Sequence, residues 1–390
     1  TVQFIPHVPD EIKRRIKDAA KGYDVCLIEI GGTIGDFENI AYLFAVKSLE
    51  REIGKENMPY ILITYLPIPS HIEEMKTKPT QQAIRLLSEN GIWPDFIICR
   101  AKRPLDDVRK KKIEVMANIP QQHIISEPDI DTIYRIPLDL EKEQLGTKIL
   151  DELKLKPKKQ PDWKRWKTLV EALVDGKKEV RIAIVGKYVE IGDFNLADSY
   201  ISINQALSHA AANLHVKVMI SWVDSKKFEK HPDSVKELSQ FDGIIVPGGF
   251  GSSGVEGKIA AIQFAREHNI PYLGLCYGMQ LAVIEFSRNA CGMKGANTTE
   301  IDPATPFPVI TILDSQKKLM EESRYGATMR LGAYAAIVQE GSLVYKLYKE
   351  KRLEKDRARL QELKIAKGEE FRLGNLQQKD IVLLERHRHR

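Results

Sequence analysis

The chain has 390 residues, of which 43% are hydrophobic and 29% charged, and its formal net charge is +5. That length holds two or more domains, each with its own core. No apolar run approaches the roughly 20 residues of a membrane-spanning helix, and the opening TVQFIPHVPDEIKRR lacks the form of a signal peptide, so the cytoplasm is the expected location. Four cysteines (Cys26, Cys99, Cys276, Cys291) argue against a disulfide framework, and their spacing fits no zinc pattern. Basic residues cluster at 109–112, 154–167 and 346–359, but acidic residues are interleaved and no regular stacking aromatics accompany them. Solvated helix faces and a linker, rather than a nucleic-acid surface, are expected there.

Residues 23–30, YDVCLIEI, form an apolar run that breaks at Gly31-Gly32, and the expectation is a buried strand ending in a loop. Similar runs follow at Tyr60–Leu66, Asp95–Cys99 and His123–Ser126, with helical patterns at Glu38–Glu52, Thr80–Glu89 and Asp106–Ala117 between them. Strands alternating with helices imply a parallel α/β sheet. The pattern fails over 153–180, where Lys, Pro and Trp suggest a linker leading into a short helix. A second α/β series then predicts strands at Val180–Val185, His215–Trp222, Gly243–Val246 and Pro271–Leu275, with helices at Ser199–Asn213 and Val255–His268. The charged stretch Leu347–Phe371, with Leu at intervals, reads as an exposed helix or inserted arm.

The segment PYLGLCYGMQLAVIEF packs a strand, a sharp turn and a helix into one stretch. Gly274 and Gly278 flank Cys276 in a G-x-C-x-G pattern, the thiol counterpart of a nucleophile elbow. Small residues suit the strained turn, and the following helix N-terminus offers N–H groups and a dipole that favour a thiolate and could stabilise an oxyanion. A lone cysteine would more simply be a small core residue, as expected of Cys26 and Cys99. A second glycine loop, PGGFGSSG (247–254), follows another buried strand one βα unit earlier, which tips the reading toward a nucleophile.

GLCYGMQ with PGGFG upstream resembles the class I glutamine amidotransferase signature. The resemblance implies that Cys276 attacks the glutamine amide to give a thioester and ammonia, with Gly249 and the Tyr277 amide as oxyanion hole. Gly278, Met279, Gln280 and Glu300 match glutamine-binding positions. The base of the family lies in a later His-x-Glu. His231-Pro-Asp233 precedes the nucleophile, His71-Ile-Glu73 belongs to the other domain, and neither His387 nor His389 is followed by the required Glu.

In the first half, EIGGTIGDFEN (29–39) sets Glu29 at a strand end beside a glycine turn, where an α/β nucleotide enzyme would hold magnesium; an acidic loop is the plain alternative. KTKPTQQ (76–82) brings Lys, Thr and Gln to a helix start, and Lys112 adds a cation, together suggesting a triphosphate site.

EIGGTIGD, KTKPTQ, PGGFG, GLCYGMQ, GATMRLG (326–332) and ERHRHR (385–390) stand in the order found in the CTP synthase family, which the chain resembles along nearly its whole length. The resemblance implies two parallel-sheet α/β domains: a P-loop-NTPase-like amidoligase over 1–152 lacking its N-terminal part, and a flavodoxin-like class I amidotransferase over 181–390, joined by the linker 153–180. It implies a cytoplasmic homotetramer that acts on ATP, UTP and L-glutamine with Mg2+, is activated by GTP and inhibited by CTP, and needs no nucleic acid or membrane. ATP would phosphorylate the uracil O4 of UTP, and ammonia from the glutaminase would displace the phosphate.

Carried over by position, Glu29 resembles a magnesium ligand, and Asp36, Phe37 and Glu38 match the CTP-inhibitor segment. Lys76, Thr77, Lys78, Pro79, Thr80, Gln81 and Lys112 match the UTP/CTP triphosphate site. Asp129 and Ile130 match an ATP-contacting segment, and Arg390 matches the residue that binds the glutamine carboxylate. Ser252 and Ser253 stand where the family carries a charged residue. No phosphate-binding G-x-x-x-x-G-K-[ST] and no His-x-Glu base lie within the 390 residues, so truncation at both ends is expected, with an inactive fragment as its consequence. Two rival readings are an amidotransferase with a different acceptor and a non-catalytic homologue.

Overall fold

A computed structural model describes residues 3–176, 178–186, 190–191, 194–195, 200–249, 251–312, 330–348, 350–367 and 379–389. Arg390 and the first four residues of GATMRLG lie outside them. The chain divides into two compact units, Thr1–Lys178 with Ser208–Lys217, and Glu179–Leu207 with Val218–Arg390.

The first unit opens with α1 (His7–Ala20) and α2 (Ile40–Ile53). Helix α1 presents Val8, Ile12 and Ile16 at four-residue spacing among charges; Ile16 packs on the Leu43, Val46 and Leu49 cluster, and Lys13 and Lys17 both reach Glu52 on α2. Then come β1 (Ile61–Tyr65), α3 (Lys78–Glu89), β2 (Phe96–Ala101), α4 (Asp107–Ala117) and β3 (Ile124–Pro128). The three strands form a parallel sheet in the order β1-β2-β3, with Ile63 opposite Ile98 and Ile98 opposite Ile125. Pro79 starts α3, where its missing N–H costs nothing, and the Asp106 carboxylate caps α4 by accepting from the Arg109 amide at 2.8 Å. One sheet face packs Leu62, Ile97, Cys99 and Ile124 with Ile84 and Ile113 from α3 and α4. The other face is closed over β2 and β3 by α5 (Ile136–Lys142) and α6 (Leu145–Glu152), through Leu140, Leu145 and Ile149 against Phe96, Ile98 and Ile125. The first stretch of this unit closes with α7 (Lys164–Val174), the short helix expected after the linker.

Two expectations fail here. Residues 23–30 form no strand and pair with none among the described residues, and all but the half-buried Ile30 are exposed rather than buried: Leu27 is 90% accessible and Cys26 is exposed. An apolar run supplies side chains for a core, but a strand also needs a ladder partner, and among the described residues this segment does not join the β1-β2-β3 sheet. Strand β1 is likewise an edge with only one face covered, so Ile61, Ile63 and Tyr65 are exposed while Leu62 is buried.

The chain continues with β4 (Lys178–Gly186), the small antiparallel pair β5 (Glu190–Ile191) and β6 (Phe194–Asn195), α8 (Ile201–Leu214), β7 (Val216–Asp224), α9 (Ser225–Lys230), β8 (Gly243–Val246), α10 (Val255–Glu267), β9 (Tyr272–Gly274) and α11 (Tyr277–Asn289). A four-stranded sheet runs β7-β4-β8-β9, with β4, β8 and β9 parallel. All four residues of β8 are buried, as a central parallel strand covered on both faces should be. The core gathers Ala183, Val185, Ile244 and Val246 from the sheet with Ile259, Phe264, Leu281 and Ile284 from α10 and α11.

Beyond α11 lie β10 (Asn297–Thr298) and β11 (Pro308–Ile310), a short parallel pair, then β12 (Arg330–Ile337), α12 (Leu343–Tyr348), α13 (Glu350–Lys367) and β13 (Val382–His389). Strands β12 and β13 pair antiparallel, with Tyr334 opposite Glu385. The charged stretch read as an exposed helix or arm is a helix, but a docked one. Leu353 and Leu360 are buried against Leu383, Val382 and Leu384 of β13. The seven-residue spacing of the two leucines returns them to one helix face.

Candidate functional site

The turn at Cys276 is built by close packing. Strands β8 and β9 are neighbours, with Val246 opposite Gly274, so the glycine loop after β8 and the turn after β9 emerge side by side at the carboxyl ends of parallel strands. A Cβ on Gly274 would lie 2.6 Å from the Gly278 carbonyl carbon, and one on Gly278 would lie 2.1 Å from the Val246 oxygen. Both glycines of the G-x-C-x-G pattern are therefore required by space. Cys276 itself has φ 53° and ψ −106°, a strained conformation for a residue with a side chain. Its surroundings hold it there: the Leu275 amide donates to the Val246 carbonyl at 2.9 Å, and the Met279 amide donates to the Cys276 carbonyl at 3.1 Å. The Tyr272 hydroxyl reaches over to the Gly278 carbonyl at 2.8 Å.

Cys276 is half-buried and sits at the N-terminus of α11. A Cβ placed on Gly248 would lie 3.7 Å from the Cys276 sulfur, so the sulfur lies against the start of the PGGFG loop. Burial pushes the thiol pKa up, the Tyr277 amide opposes this by donating to the sulfur, and the Glu300 carboxylate adds to the rise. The helix terminus was expected to favour a thiolate; in this geometry desolvation outweighs it. Glu300, exposed after β10, thus acts electrostatically on the Cys276 sulfur and on the Tyr277 phenol. Gln280 lies in the first turn of α11 with its amide directed at the Cys276 carbonyl, and Met279 is exposed beside it. Gly249 directly follows Gly248 in the loop. Cys276, Tyr277, Gly278, Gln280, Glu300 and the loop at Gly248 and Gly249 are therefore brought together in the second unit. His387 and His389 lie in β13, opposite Gly332 and Arg330.

In the first unit, Glu29, Gly31, Gly32, Asp36, Glu38, Asn39 and Tyr42 line a cavity of ≈ 480 Å³. The turn is held by Asp36, whose carboxylate accepts from the Thr33 amide at 2.7 Å, and by the Asn39 side-chain amide donating to the Thr33 carbonyl at 3.2 Å. Gly32 has φ +80°, and a Cβ there would lie 2.9 Å from Asn39, which explains the glycine. Phe37 is exposed and stacks on Phe4. Among the described residues no group of three or more His, Cys, Asp or Glu converges tightly enough to cage a metal. Magnesium typically takes only one or two protein carboxylates and completes its shell with water and substrate phosphates, so Glu29 together with Asp36 or Glu38 fits that requirement.

The KTKPTQ segment leads into α3. Lys76 pairs with Glu74 at 2.6 Å, and the Gln81 side chain donates to the Thr77 hydroxyl at 3.3 Å. Thr80 is buried, sharing a 3.0 Å hydrogen bond with Thr64 of β1, so it ties helix to sheet. Lys78 and Lys112 are exposed. Sequence inspection missed Arg109, which lies between these groups: it pairs with Glu74 at 3.2 Å and with Asp106 at 2.6 Å. Glu74 is held below the ordinary carboxylate range by Lys76 first, with Arg109 and Lys112 adding to the effect. Nothing in the spacing of Arg109 from KTKPTQ reveals this meeting, which depends on α3 and α4 lying side by side. Asp129 follows β3, its amide donating to the Ala101 carbonyl at 2.7 Å and its carboxylate 4.0 Å from Arg100.

Residues 1–155 match the family model described as CTP synthase N-terminus, and 195–380 match glutamine amidotransferase class-I. A CTP synthase of Methanocaldococcus jannaschii is 47% identical over 353 residues, covering 89% of this chain and 64% of that protein. The chain belongs to the CTP synthase family. A CTP synthase of Pyrococcus furiosus is also 47% identical, over 89% of this chain and 63% of its own length, so the chain spans a little under two thirds of these relatives. The glutaminase domain of a Trypanosoma brucei CTPS with bound acivicin aligns with 37% identity and a TM-score of 0.42, over 54% of this chain and 67% of that one. The matched ranges include the acidic turn at Glu29, the KTKPTQ segment and the Cys276 elbow, while ERHRHR (385–390) lies beyond them. Among the described residues no helix is long and apolar enough to cross a membrane.

Proposed function

We propose that this protein takes part in the ATP-dependent amination of UTP to CTP, with ammonia released from glutamine at Cys276. The observation that carries the reading is the strained Cys276 turn, with the Tyr277 amide directed at its sulfur and the glycine loop of 247–254 beside it. Cys276 would attack the glutamine side-chain amide, and the Tyr277 and Gly249 amides would receive the oxyanion. Because burial raises the thiol pKa, the attack needs a base to take its proton. Gln280 and Glu300 would hold the glutamine, and Arg390 would bind its carboxylate.

The domain assignment that goes with this is an amidoligase over 1–152, a linker over 153–180 and the amidotransferase over 181–390. Lys76, Lys78 and Lys112, with Arg109, would meet the triphosphate of UTP, and Asp129 with Ile130 would contact ATP at the carboxyl end of β3. Glu29 would hold Mg2+, which supplies charge neutralisation on the nucleotide phosphates. Asp36, Phe37 and Glu38 would form the segment through which CTP inhibits, and GTP would activate the glutaminase. A homotetramer in the cytoplasm is the state proposed for the working enzyme.

Incubating the intact protein that contains these 390 residues with UTP, ATP, Mg2+ and either glutamine or ammonium, and following CTP, tests the reading. CTP should form from both nitrogen sources, and Cys276→Ala should abolish only the glutamine route. Loss of both routes in that variant would overturn the division of labour, and absence of CTP from the unaltered intact protein would overturn the reading itself.

A further inference from the structure

The Tyr277 side chain is tied at both ends. Its hydroxyl donates to the Gly251 carbonyl at 3.1 Å, joining α11 to the glycine loop that follows β8. Its ring lies 5.7 Å from the ammonium of Lys258, which projects from α10. Tyr277 and Lys258 are respectively 3% and 1% exposed, so this contact is made away from water. Gly251 has φ +74° and Gly254 φ +73°, left-handed conformations that leave the loop few restraints of its own.

We propose that Lys258 and the Tyr277 phenol act as a clamp that fixes the glycine loop at Gly248, Gly249 and Gly251 against the start of α11, and so set the position of the Tyr277 amide and of the loop beside the Cys276 sulfur. Lys258 acts through Tyr277, not on substrate, and is a positioning residue. A buried ammonium beside an aromatic face is held more strongly than the same pair in water, because neither group has solvent to compete. The hydroxyl bond adds direction, since a carbonyl at Gly251 accepts it only with the loop in place. Burial, and after it Glu300, pushes the phenol pKa up to about 12, so the O–H remains a donor across the working pH range. One residue thereby contributes its amide to the nucleophile and its side chain to the loop that faces it. Small errors in the placement of such donors are costly in rate.

The inference rests on the glutaminase reading of Cys276, and its test is chosen to separate the two. Tyr277→Phe removes the hydroxyl but keeps ring and amide; Lys258→Met removes the charge but keeps a stem. Amide hydrogen exchange by NMR at Gly248, Gly249 and Gly251 reads the loop, and glutamine hydrolysis reads the chemistry. Each variant should speed exchange at these amides by about tenfold or more, with Ile244 and Ile245 of β8 unchanged. Each should lower kcat for glutamine roughly 10- to 100-fold with KM held within about twofold. The double variant should be no slower than the slower single one, since both act on one element. Unchanged loop exchange in Tyr277→Phe, or a loss confined to KM, would overturn the clamp. If the intact unaltered protein hydrolyses no glutamine, the functional reading fails while the exchange experiment still decides the clamp. Should Lys258→Met fail to fold, Tyr277→Phe decides it alone.

Discussion

Gly278 is pressed against the carbonyl of Val246 so closely that a Cβ on it would lie 2.1 Å from the oxygen. Neither backbone can yield without moving β8 or the start of α11, and Cys276 sits on that junction. Gly278→Ala should therefore destabilise the protein by about 1–3 kcal/mol, the range for forced overpacking. It should also slow iodoacetamide labelling of Cys276. Gly146, in α6 with open space around its Cα, is the control: Gly146→Ala should leave stability unchanged or slightly raised. Urea denaturation of the two variants reads the comparison.

The raised thiol pKa of Cys276 has a direct kinetic consequence. Only the thiolate alkylates, so labelling at Cys276 should be slower at pH 7 than for a free thiol and should keep climbing above the ordinary cysteine value of about 8.5. Glu300 contributes to the rise, although burial is the larger cause. Glu300→Gln should shift the rate profile toward lower pH, whereas a profile that does not move would show that Glu300 is not felt at the sulfur. The exposed Cys291 supplies an internal reference thiol.

In the first unit, Lys76 and Arg109 both pair with Glu74. On the proposed reading a triphosphate displaces that carboxylate, so Glu74→Gln should tighten UTP binding and Lys112→Ala should weaken it. Changes of roughly 3- to 10-fold in the UTP KM are expected, shrinking as salt is raised. Steady-state kinetics at two ionic strengths distinguishes this from a fold defect, which salt would not relieve.

Much of this architecture was legible because local pattern and tertiary environment agree. GIIV is apolar throughout and FIICRA is apolar except for Arg100, and both became central strands. The elbow was legible from Gly274 and Gly278, whose absence of a side chain is a steric demand that a sequence displays directly. YDVCLIEI has the same apolar character but pairs with nothing, because strand pairing is decided by a partner elsewhere in the chain. Helix α1 was missed for a different reason: its apolar stripe of Val8, Ile12 and Ile16 is thin among charges, and the charges crossing to Glu52 that help hold it depend on α2. The docking of α13 escaped because Leu353 and Leu360 are sparse among charges, and their burial depends on β13. The balance of effects at Cys276 was also hidden, since burial is a property of packing.

Glu127, at the end of β3, is 4% exposed, and among the described contacts its two carboxylate oxygens have no hydrogen-bond partner. Burial raises its pKa first, Asp139 and Glu143 add to the rise, and Arg100 and Lys142 oppose it. The folded state therefore keeps a proton that the unfolded chain releases near about pH 4.3. The contribution of Glu127 to stability is full below that value and falls as pH rises through the folded pKa. Glu127→Gln, which carries no charge to bury, should raise Tm at pH 7 by roughly 2–4 °C and change little at pH 4. An equal gain at both pH values would trace the effect to packing and overturn the electrostatic account.

Asp356 anchors α13 by a different balance. Its buried carboxylate accepts from the Leu384 amide of β13 at 3.0 Å and from Arg352, one turn back, at 2.9 Å. Truncation would leave the Leu384 N–H buried without its acceptor, and such an orphaned group costs about 1–3 kcal/mol. Arg352 is half-exposed, so its lost ion pair adds little. Asp356→Ala should therefore loosen α13 from β13 while leaving the Cys276 elbow intact. Faster tryptic cleavage within α13, with unchanged labelling of Cys276, is the expected outcome. Cleavage at the rate of the unaltered protein would mean that Leu353 and Leu360 hold the helix without the carboxylate.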